Sequence, residues 1–341
     1  SLRSRSHMPK DTASSRPSGG GSSGGGNSSS SDTITNADGS VTTTVTDKKT
    51  GTVTTTTKKT DGSVTVMEVK KDGTVTITDT AKNGVKVEAV SKPETDPSAQ
   101  VTLPAGVKTA TVTVPVTVTP GMVAVDAKTG EVVKLSAPTE DGMLVKLNES
   151  AELILEDRSK AFADTESHWA KSAIEFTTAR ALFNGTSDTT FAPDESMTRG
   201  MIAVVLHNFE GSTEFNAQND FTDVAPGMWY TDAIHWIADQ GITDGYDNGS
   251  FGVDDHVTRE QLVTFLYRYA NVMGYSTEGT ADLSAFPDGD SVSGYASEAM
   301  RWAVSNGLIV GTDGGTLAPG SGATRAQVAA ILNRFVLNLM K

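Results

Sequence analysis

The fold of the C-terminal half is decided by Phe221-Thr-Asp-Val-Ala-Pro-Gly-Met-Trp229, followed by Gly245-Tyr-Asp-Asn-Gly-Ser-Phe251 and Thr258-Arg-Glu-Gln261. The same spacing occurs once before and once after this stretch, so one unit is present three times within residues 162–341. In each copy Phe-x-Asp precedes an aromatic residue, a glycine follows that aromatic after sixteen residues, and an arginine follows it after thirty. Residues kept in all three copies can therefore be separated from residues that fill space.

The negative charge of the chain is concentrated in these repeats. Residues 161–341 carry 23 acidic and nine basic side chains, whereas residues 1–160 carry 19 of each. Such an excess excludes a nucleic-acid partner, which needs clustered lysine and arginine. The absence of cysteine excludes disulfides and thiolate chemistry. No apolar run approaches the ~20 residues that span a bilayer, so membrane insertion is not predicted.

Residues 1–31 are predicted to be an expression tag followed by a flexible linker. The opening Ser-Leu-Arg-Ser-Arg-Ser-His-Met is typical of a tag, and we expect a native signal peptide to have been removed. The glycine- and serine-rich run that follows cannot bury enough apolar surface to fold.

Two β segments are predicted between the linker and the repeats. Residues 32–92 alternate valine and threonine between Asp-Gly or Asn-Gly pairs at a period of eleven or twelve residues. This pattern predicts two-residue hairpin turns and an antiparallel meander that acts as a stalk; partial disorder of the isolated segment remains open. Residues 98–158 are richer in valine and leucine and are predicted to form a small structural β-sandwich or roll.

The repeats change to helical periodicity, and each is predicted to be helix, loop, helix. Their shared motifs resemble the S-layer homology domain, as three tandem copies at residues 162–211, 221–274 and 286–341. The resemblance implies a pseudo-threefold helical bundle with ligand grooves between adjacent repeats. It also implies an extracellular protein anchored non-covalently to the cell wall through a polysaccharide attached to peptidoglycan, commonly one bearing pyruvate ketals. No cofactor and no metal are predicted.

The triplication and the resemblance together give twelve candidate ligand-binding residues, four in each repeat. They are Arg199, Arg259 and Arg325; Trp169, Trp229 and Tyr295; Asp164, Asp223 and Asp288; and Gly185, Gly245 and Gly311. The glycines either form a backbone turn with positive φ or let a ligand approach the main chain.

The arginines are the most informative of these candidates. A cation in the first turn of a helix opposes the macrodipole by about 0.3–1 kcal/mol, so something must compensate for it. Two explanations remain open: the aspartate of the repeat itself, or an external anion bound jointly by the guanidinium and the helix amides. On this reasoning Arg259→Ala weakens polysaccharide binding at little cost in thermal stability, and the best grooves use the second repeat.

Other kept positions have structural explanations. Thr258 with Gln261, and Thr324 with Gln327, are predicted to form helix capping boxes, which Met201 in the first copy cannot complete. The aromatic residues at the head of each first helix are either core residues or platforms on which a sugar ring stacks. Seven residues further on, a second aromatic is predicted to be buried in each copy: Phe176, Trp236 and Trp302.

No catalytic constellation is present, so the chain is not predicted to be an enzyme. The histidines are dispersed without metal-ligand spacing, and Asp244-Gly-Tyr-Asp247-Asn-Gly249 lacks the ligand register and closing glutamate of a calcium loop. Two main classes of function remain: a polysaccharide-binding anchor, or a self-associating surface-layer protein whose repeats bind one another. A third alternative is an enzyme whose catalytic domain lies outside this sequence.

Overall fold

The chain, as a computed structural model, is described over residues 29–211 and 220–341, with its strands in the N-terminal part and its α-helices in the C-terminal part. The strands are β1 (Ser29–Thr35), β2 (Val41–Asp47), β3 (Val53–Lys58), β4 (Val64–Val69), β5 (Val75–Thr80), β6 (Lys86–Ser91), β7 (Ser98–Thr102), β8 (Ala110–Val114), β9 (Met122–Asp126), β10 (Ser136–Thr139), β11 (Gly142–Leu147) and β12 (Ala151–Asp157). The predicted tag and linker lie outside the described residues, except that residues 29–31 belong to β1.

The hairpins form at the predicted Asp-Gly positions but with a longer loop. Between β1 and β2 the amide of Asn36 donates to the carbonyl of Ser40, and the amide of Gly39 donates back to the carbonyl of Asn36. Gly39 has φ of +82°, and the Asp38 carboxylate accepts from the amide of Ser40. The turn is therefore a three-residue loop that ends in a left-handed glycine, and the predicted two-residue loop is wrong here.

The two β segments share one sheet. Nine strands pair in the order β1-β2-β3-β4-β5-β6-β7-β12-β9, and β10-β11-β8 form a second sheet. The two sheets enclose a core that includes Val101, Val114, Met143, Leu153 and Leu155. This core agrees with the predicted sandwich, while the β6–β7 pairing joins the meander to it without a break.

The helices occur in pairs that link different repeats. They are α1 (Lys171–Ala179), α2 (Arg199–Glu210), α3 (Thr231–Asp239), α4 (Arg259–Val272), α5 (Ser297–Ser305) and α6 (Arg325–Leu339). The long helix of each repeat packs against the short helix of the next: α2 against α3, α4 against α5, and α6 against α1. The last pair joins the third repeat to the first, so the contacts form a closed cycle.

The β-sandwich packs directly against the helices. The Arg180 guanidinium, at the end of α1, donates to the carbonyls of Met122 and Ser136. Burial lowers the pKa of Arg180 to about 9. Thr111 and Lys146 donate to the last carbonyls of α6, those of Met340 and Leu339. The sandwich thus provides hydrogen-bond partners for a helix end that would otherwise leave carbonyls unpaired.

Candidate functional site

In the second repeat one peptide segment is held from both sides. The amide of Phe251 donates to the Asp223 carboxylate at 2.7 Å, and Asp223 also accepts from the amides of Gly252 and Val253. The carbonyl of Phe251 accepts from Arg199 Nε at 2.9 Å. The aspartate belongs to the same repeat as this loop, whereas the arginine comes from the preceding repeat.

The same arrangement recurs in the other two repeats. Asp288 accepts from the amide of Leu317, whose carbonyl accepts from Arg259 Nε. Asp164 accepts from the amide of Phe191, whose carbonyl accepts from Arg325 Nε. Each Asp–Arg pair therefore fastens one loop to the long helix of a different repeat.

The backbone amides in the first turn of each long helix donate hydrogen bonds within the protein. The amides of Arg199 and Gly200 donate to the carbonyls of Asp255 and Val253, and the amide of Met201 donates to the Thr198 hydroxyl. The amides of the arginines and their successors in α4 and α6 are satisfied in the same way. The hypothesis that an external anion is bound jointly by the guanidinium and these amides is therefore wrong, because the amides already donate to groups of the protein.

The internal-carboxylate explanation also needs correction. In the described residues no direct ion pair joins these arginines to these aspartates; the two groups meet through the peptide between them. The arginines are buried, at 5–6% exposure, and burial lowers the pKa of each guanidinium. Because Arg259 is buried and donates to the carbonyl of Leu317, we now expect its replacement to cost stability, in place of the small cost predicted from the sequence.

The aspartates titrate below the ordinary value. Burial raises the pKa of the carboxyl groups of Asp164, Asp223 and Asp288, but the hydrogen bonds from two or three amides outweigh it. The net result is a pKa below 3.8 in each case, so all three are carboxylates at neutral pH.

In the first two repeats, the phenylalanine of Phe-x-Asp leaves no room for a side chain at the shared glycine. A Cβ on Gly185 would lie 2.4 Å from Phe162 Cε1, and one on Gly245 would lie 2.6 Å from Phe221 Cε1. Gly245 and Gly311 have positive φ, as predicted, whereas Gly185 does not. Close packing of the loop therefore explains the glycine in the first two copies, whether or not a ligand also approaches it.

The first aromatic of each repeat is a surface residue. Trp169, Trp229 and Tyr295 are 65%, 60% and 56% exposed, which excludes the core interpretation. The second aromatics, Phe176, Trp236 and Trp302, are buried as predicted. The capping boxes at Thr258 and Thr324 are also confirmed.

One groove, here called the Trp169 groove, combines all three repeats. It has a volume of about 480 Å³ and is lined by Trp169 from the first repeat, Arg259 from the second, and Gly311, Gln327 and Arg334 from the third. An apolar ring face, a buried cation and an amide side chain thus face one cavity.

A second groove, the Tyr295 groove, repeats this arrangement one step around the cycle. Its volume is about 250 Å³, and it contains Tyr295 from the third repeat, Arg199 from the first, and Gly245, Gln261 and Arg268 from the second. Here the Arg199 guanidinium lies 4.6 Å from the centre of the Tyr246 ring, which adds a cation–π contact.

The third set of corresponding residues, here called the Trp229 set, differs from the first two; it consists of Trp229, Arg325, Gly185, Met201 and Asn208. Met201 replaces the glutamine and Asn208 replaces the second arginine, while Arg325 donates a further hydrogen bond from its terminal nitrogen Nη2 to the carbonyl of Asn184 at 2.6 Å. In the described part of the chain, the terminal guanidinium nitrogens of Arg199 and Arg259 make no such bond. In the described residues, the terminal guanidinium nitrogens of Arg199 and Arg259 are thus without a protein partner, whereas one of the two terminal nitrogens of Arg325 is bonded internally.

Sequence reasoning missed Arg268 and Arg334, and it gave Gln261 and Gln327 only a capping role. A signal was present, since an arginine follows the kept threonine after ten residues in the second and third copies, in a segment with only nine basic residues. Asn208 at that position in the first copy hid the pattern.

Comparison with known proteins identifies the repeated unit. Residues 161–200, 220–263 and 285–329 match the S-layer homology domain, so the chain contains three tandem S-layer homology domains.

Three relatives illustrate the range of proteins that share this region. The chain is 29% identical over 173 residues to an amylopullulanase of Thermoanaerobacterium thermosulfurigenes, covering 51% of this chain and 9% of that protein. It is 29% identical over 178 residues to a surface-layer 125 kDa protein of Lysinibacillus sphaericus, covering 51% and 14%. It is 28% identical over 149 residues to a cellulosome-anchoring protein of Acetivibrio thermocellus, covering 42% and 33%. The chain thus spans a third or less of the length of these relatives.

Two further properties bear on the site. Within residues 29–211 and 220–341 no helix has the length and apolar character needed to cross a bilayer. The same residues contain no group of three or more metal-binding side chains placed to hold an ion.

Proposed function

We propose that this chain anchors a surface protein non-covalently to the bacterial cell wall, by binding secondary cell-wall polysaccharide in the grooves between its repeats. The observation that carries the proposal is the composition of each groove: an exposed aromatic ring, an arginine and an amide side chain, contributed by three different repeats. The closed cycle of helix pairs supports a pseudo-threefold bundle as the scaffold of these grooves.

The chemistry of the grooves fits an acidic sugar. A pyranose ring presents an apolar C–H face that stacks on indole or phenol, and the side chains of Trp169 and Tyr295 are available for this. A pyruvate ketal carries a carboxylate, which a guanidinium binds well. Although the repeats are acidic overall, two arginines line each groove: Arg259 with Arg334, and Arg199 with Arg268. An anion is therefore attracted to the grooves rather than to the surrounding surface.

The Trp169 groove and the Tyr295 groove are the principal sites in this proposal. Both have the glutamine and the second arginine, whereas the Trp229 set has Met201 and Asn208 at these positions. In the Trp229 set one terminal guanidinium nitrogen of Arg325 is also bonded to the carbonyl of Asn184. The second repeat contributes to both grooves, and the third repeat provides most of the Trp169 groove. That the best grooves use the second repeat stays a prediction.

The location of the protein and the role of its N-terminal strands follow from the anchoring function. The protein acts outside the cell, with the repeats on the wall and the strands of residues 32–157 held away from it. The division into a stalk at 32–92 and a sandwich at 98–158 is part of this proposal, although one sheet runs through both. The relatives named as surface-layer and cellulosome-anchoring proteins support an anchoring role.

Sedimentation with purified cell walls tests the proposal. The chain should pellet with native sacculi and remain in solution with sacculi whose acid-labile polymer has been removed. Trp169→Ala/Tyr295→Ala should lose this difference. The matched control is Ile34→Ala, which removes an apolar side chain that is 59% exposed in β1 and should bind normally. Equal pelleting with both wall preparations contradicts the proposal and favours self-association or contact with peptidoglycan itself.

A further inference from the structure

The residue after the kept arginine differs among the three repeats: it is Gly200, Glu260 or Ala326. Only the second repeat has a functional group here, and it is a carboxylate with 8% exposure. A buried carboxylate is unfavourable unless it is hydrogen-bonded. Glu260 therefore needs specific partners, and those partners indicate its role.

The partners of Glu260 lie at the head of the first helix of the third repeat. Its Oε2 accepts from the amide of Ser293 at 2.9 Å, and its Oε1 accepts from the Ser293 hydroxyl at 2.8 Å. Oε1 also accepts from the Tyr295 hydroxyl at 3.1 Å. Glu260 is thus fully used in holding the segment that carries the exposed ring of the Tyr295 groove.

This contact has no counterpart at Trp169 or Trp229. Neither tryptophan has a hydroxyl group, and the residues that correspond to Glu260 are glycine and alanine. The Tyr295 ring is 56% exposed, so packing alone leaves it free to rotate, and one hydroxyl anchor at its edge limits that rotation. Burial and the neighbouring Glu260 raise the pKa of Tyr295 to about 12, so the hydroxyl remains a donor.

We propose that Glu260 is a positioning residue for the Tyr295 groove: it holds the Tyr295 ring in the orientation that stacks on a sugar, so that this groove depends on a carboxylate that the Trp169 groove does not need. The proposal rests on the function proposed above. It assigns to Glu260 a role in specificity, because the two grooves then present differently held rings to the same polymer.

The experiment isolates the Tyr295 groove in the full chain. Trp169→Ala/Trp229→Ala removes the other two exposed rings, and the binding that remains is measured by sedimentation with native sacculi, with acid-extracted sacculi as the blank. In this background Glu260→Ala and Tyr295→Phe should each weaken binding by about fivefold to tenfold, and the variant that combines both changes should bind no more weakly than either one alone. Glu260→Gln, which keeps an oxygen acceptor, should retain part of the affinity.

Tyr295→Trp separates positioning from general stability. An indole at this position has no hydroxyl to anchor, so Glu260→Ala should change binding by less than about twofold when Tyr295→Trp is present. Melting temperatures of all variants are recorded in parallel, since the Ser293 contacts also stabilise the fold.

Three outcomes overturn the assignment to Glu260: unchanged binding in Glu260→Ala, additive effects with Tyr295→Phe, or an equal loss in the Tyr295→Trp background. If the background variant itself shows no polymer-dependent pelleting while the unsubstituted chain does, then the Tyr295 groove is not a site and the positioning role fails with it. If the unsubstituted chain shows no polymer-dependent pelleting, the function proposed above fails instead.

Discussion

Arg325 Nε donates a hydrogen bond of 2.8 Å to the carbonyl of Phe191, which lies 134 residues earlier in the chain. The bond joins the third repeat to the first and completes the cycle that Arg199 and Arg259 begin. A cation at the start of a helix is thus compensated by a main-chain carbonyl of the neighbouring repeat. The arginines hold the repeats together, and Arg259 and Arg199 also line the Trp169 groove and the Tyr295 groove.

Arg259→Ala and Arg325→Ala should therefore differ in their effects on both binding and stability. Arg259→Ala removes one buried hydrogen bond from a charged group, and we expect a loss of about 1.5–3 kcal/mol in the free energy of unfolding. Arg325→Ala removes two such bonds and should cost more. Only Arg259→Ala should also weaken wall binding, because the Arg325 Nη2 is already bonded to Asn184. Urea denaturation and sedimentation with sacculi measure the two effects; equal loss of binding in both variants contradicts this distinction.

Because of Asp164, Asp223 and Asp288, we expect the folded chain to lose stability at acid pH. Their pKa values in the folded chain lie below 3.8, which is close to the value of an unfolded aspartate. Their stabilisation is therefore fully present above about pH 4 and is lost as the pH falls through the lower folded pKa values.

Asp223→Asn tests this dependence. It should cost about 1–3 kcal/mol at pH 7, because an amide group cannot accept all three backbone hydrogen bonds. The difference in unfolding free energy between this variant and the unsubstituted chain should shrink as the pH is lowered from 5 toward about 2. A difference that stays constant over this range shows that the carboxylate charge is not what stabilises the loop.

The two aromatic positions of the repeat should separate stability from binding. Trp302→Ala removes a side chain with 1% exposure and should destabilise by about 3–5 kcal/mol. Trp169→Ala removes one with 65% exposure and should stay within about 0.5 kcal/mol while weakening wall binding. Trp229→Ala is the matched comparison, and we expect a smaller loss of binding from it. A destabilised Trp169→Ala variant contradicts the surface placement.

Lys134 should couple the sandwich to the helices. It pairs with Glu210 and lies 5.0 Å from the centre of the Phe209 ring, and Glu210 also accepts from the Tyr269 hydroxyl. Lys134→Ala leaves Glu210 without its cation, so we expect a loss of about 1–3 kcal/mol.

The control for Lys134 is Lys86→Ala. Lys86 and Glu88 form an ion pair whose side chains are more than 40% exposed, and such pairs contribute about 0–1 kcal/mol. Both variants are compared by chemical denaturation followed by circular dichroism. An equal effect in the two variants contradicts the coupling role of Lys134.

The sequence was sufficient for features that depend on near neighbours. The capping boxes at Thr258 and Thr324 involve residues three positions apart, and the burial of Trp302 follows from helical spacing. The triplication added the candidate site positions, because Asp223, Gly245 and Arg259 each recur at the same place in all three copies.

The partners of those positions could not be predicted. Arg199 bonds to a backbone carbonyl 52 residues away, and a carbonyl has no side chain that marks it in the sequence. Gly185 is fixed by the ring of Phe162, a contact that only the folded loop reveals. The Trp169 groove brings together side chains from three repeats, so its composition depends on how the cycle closes.

The central claim is that the grooves between repeats bind the wall polymer. Its most direct test is the dissociation constant of the full chain for purified secondary cell-wall polysaccharide, compared with that of Trp169→Ala/Trp229→Ala/Tyr295→Ala. The account predicts at least a tenfold loss of affinity, about 1.4 kcal/mol or more, with the melting temperature nearly unchanged. Equal affinity in the two proteins, or no binding by the unsubstituted chain, would contradict it.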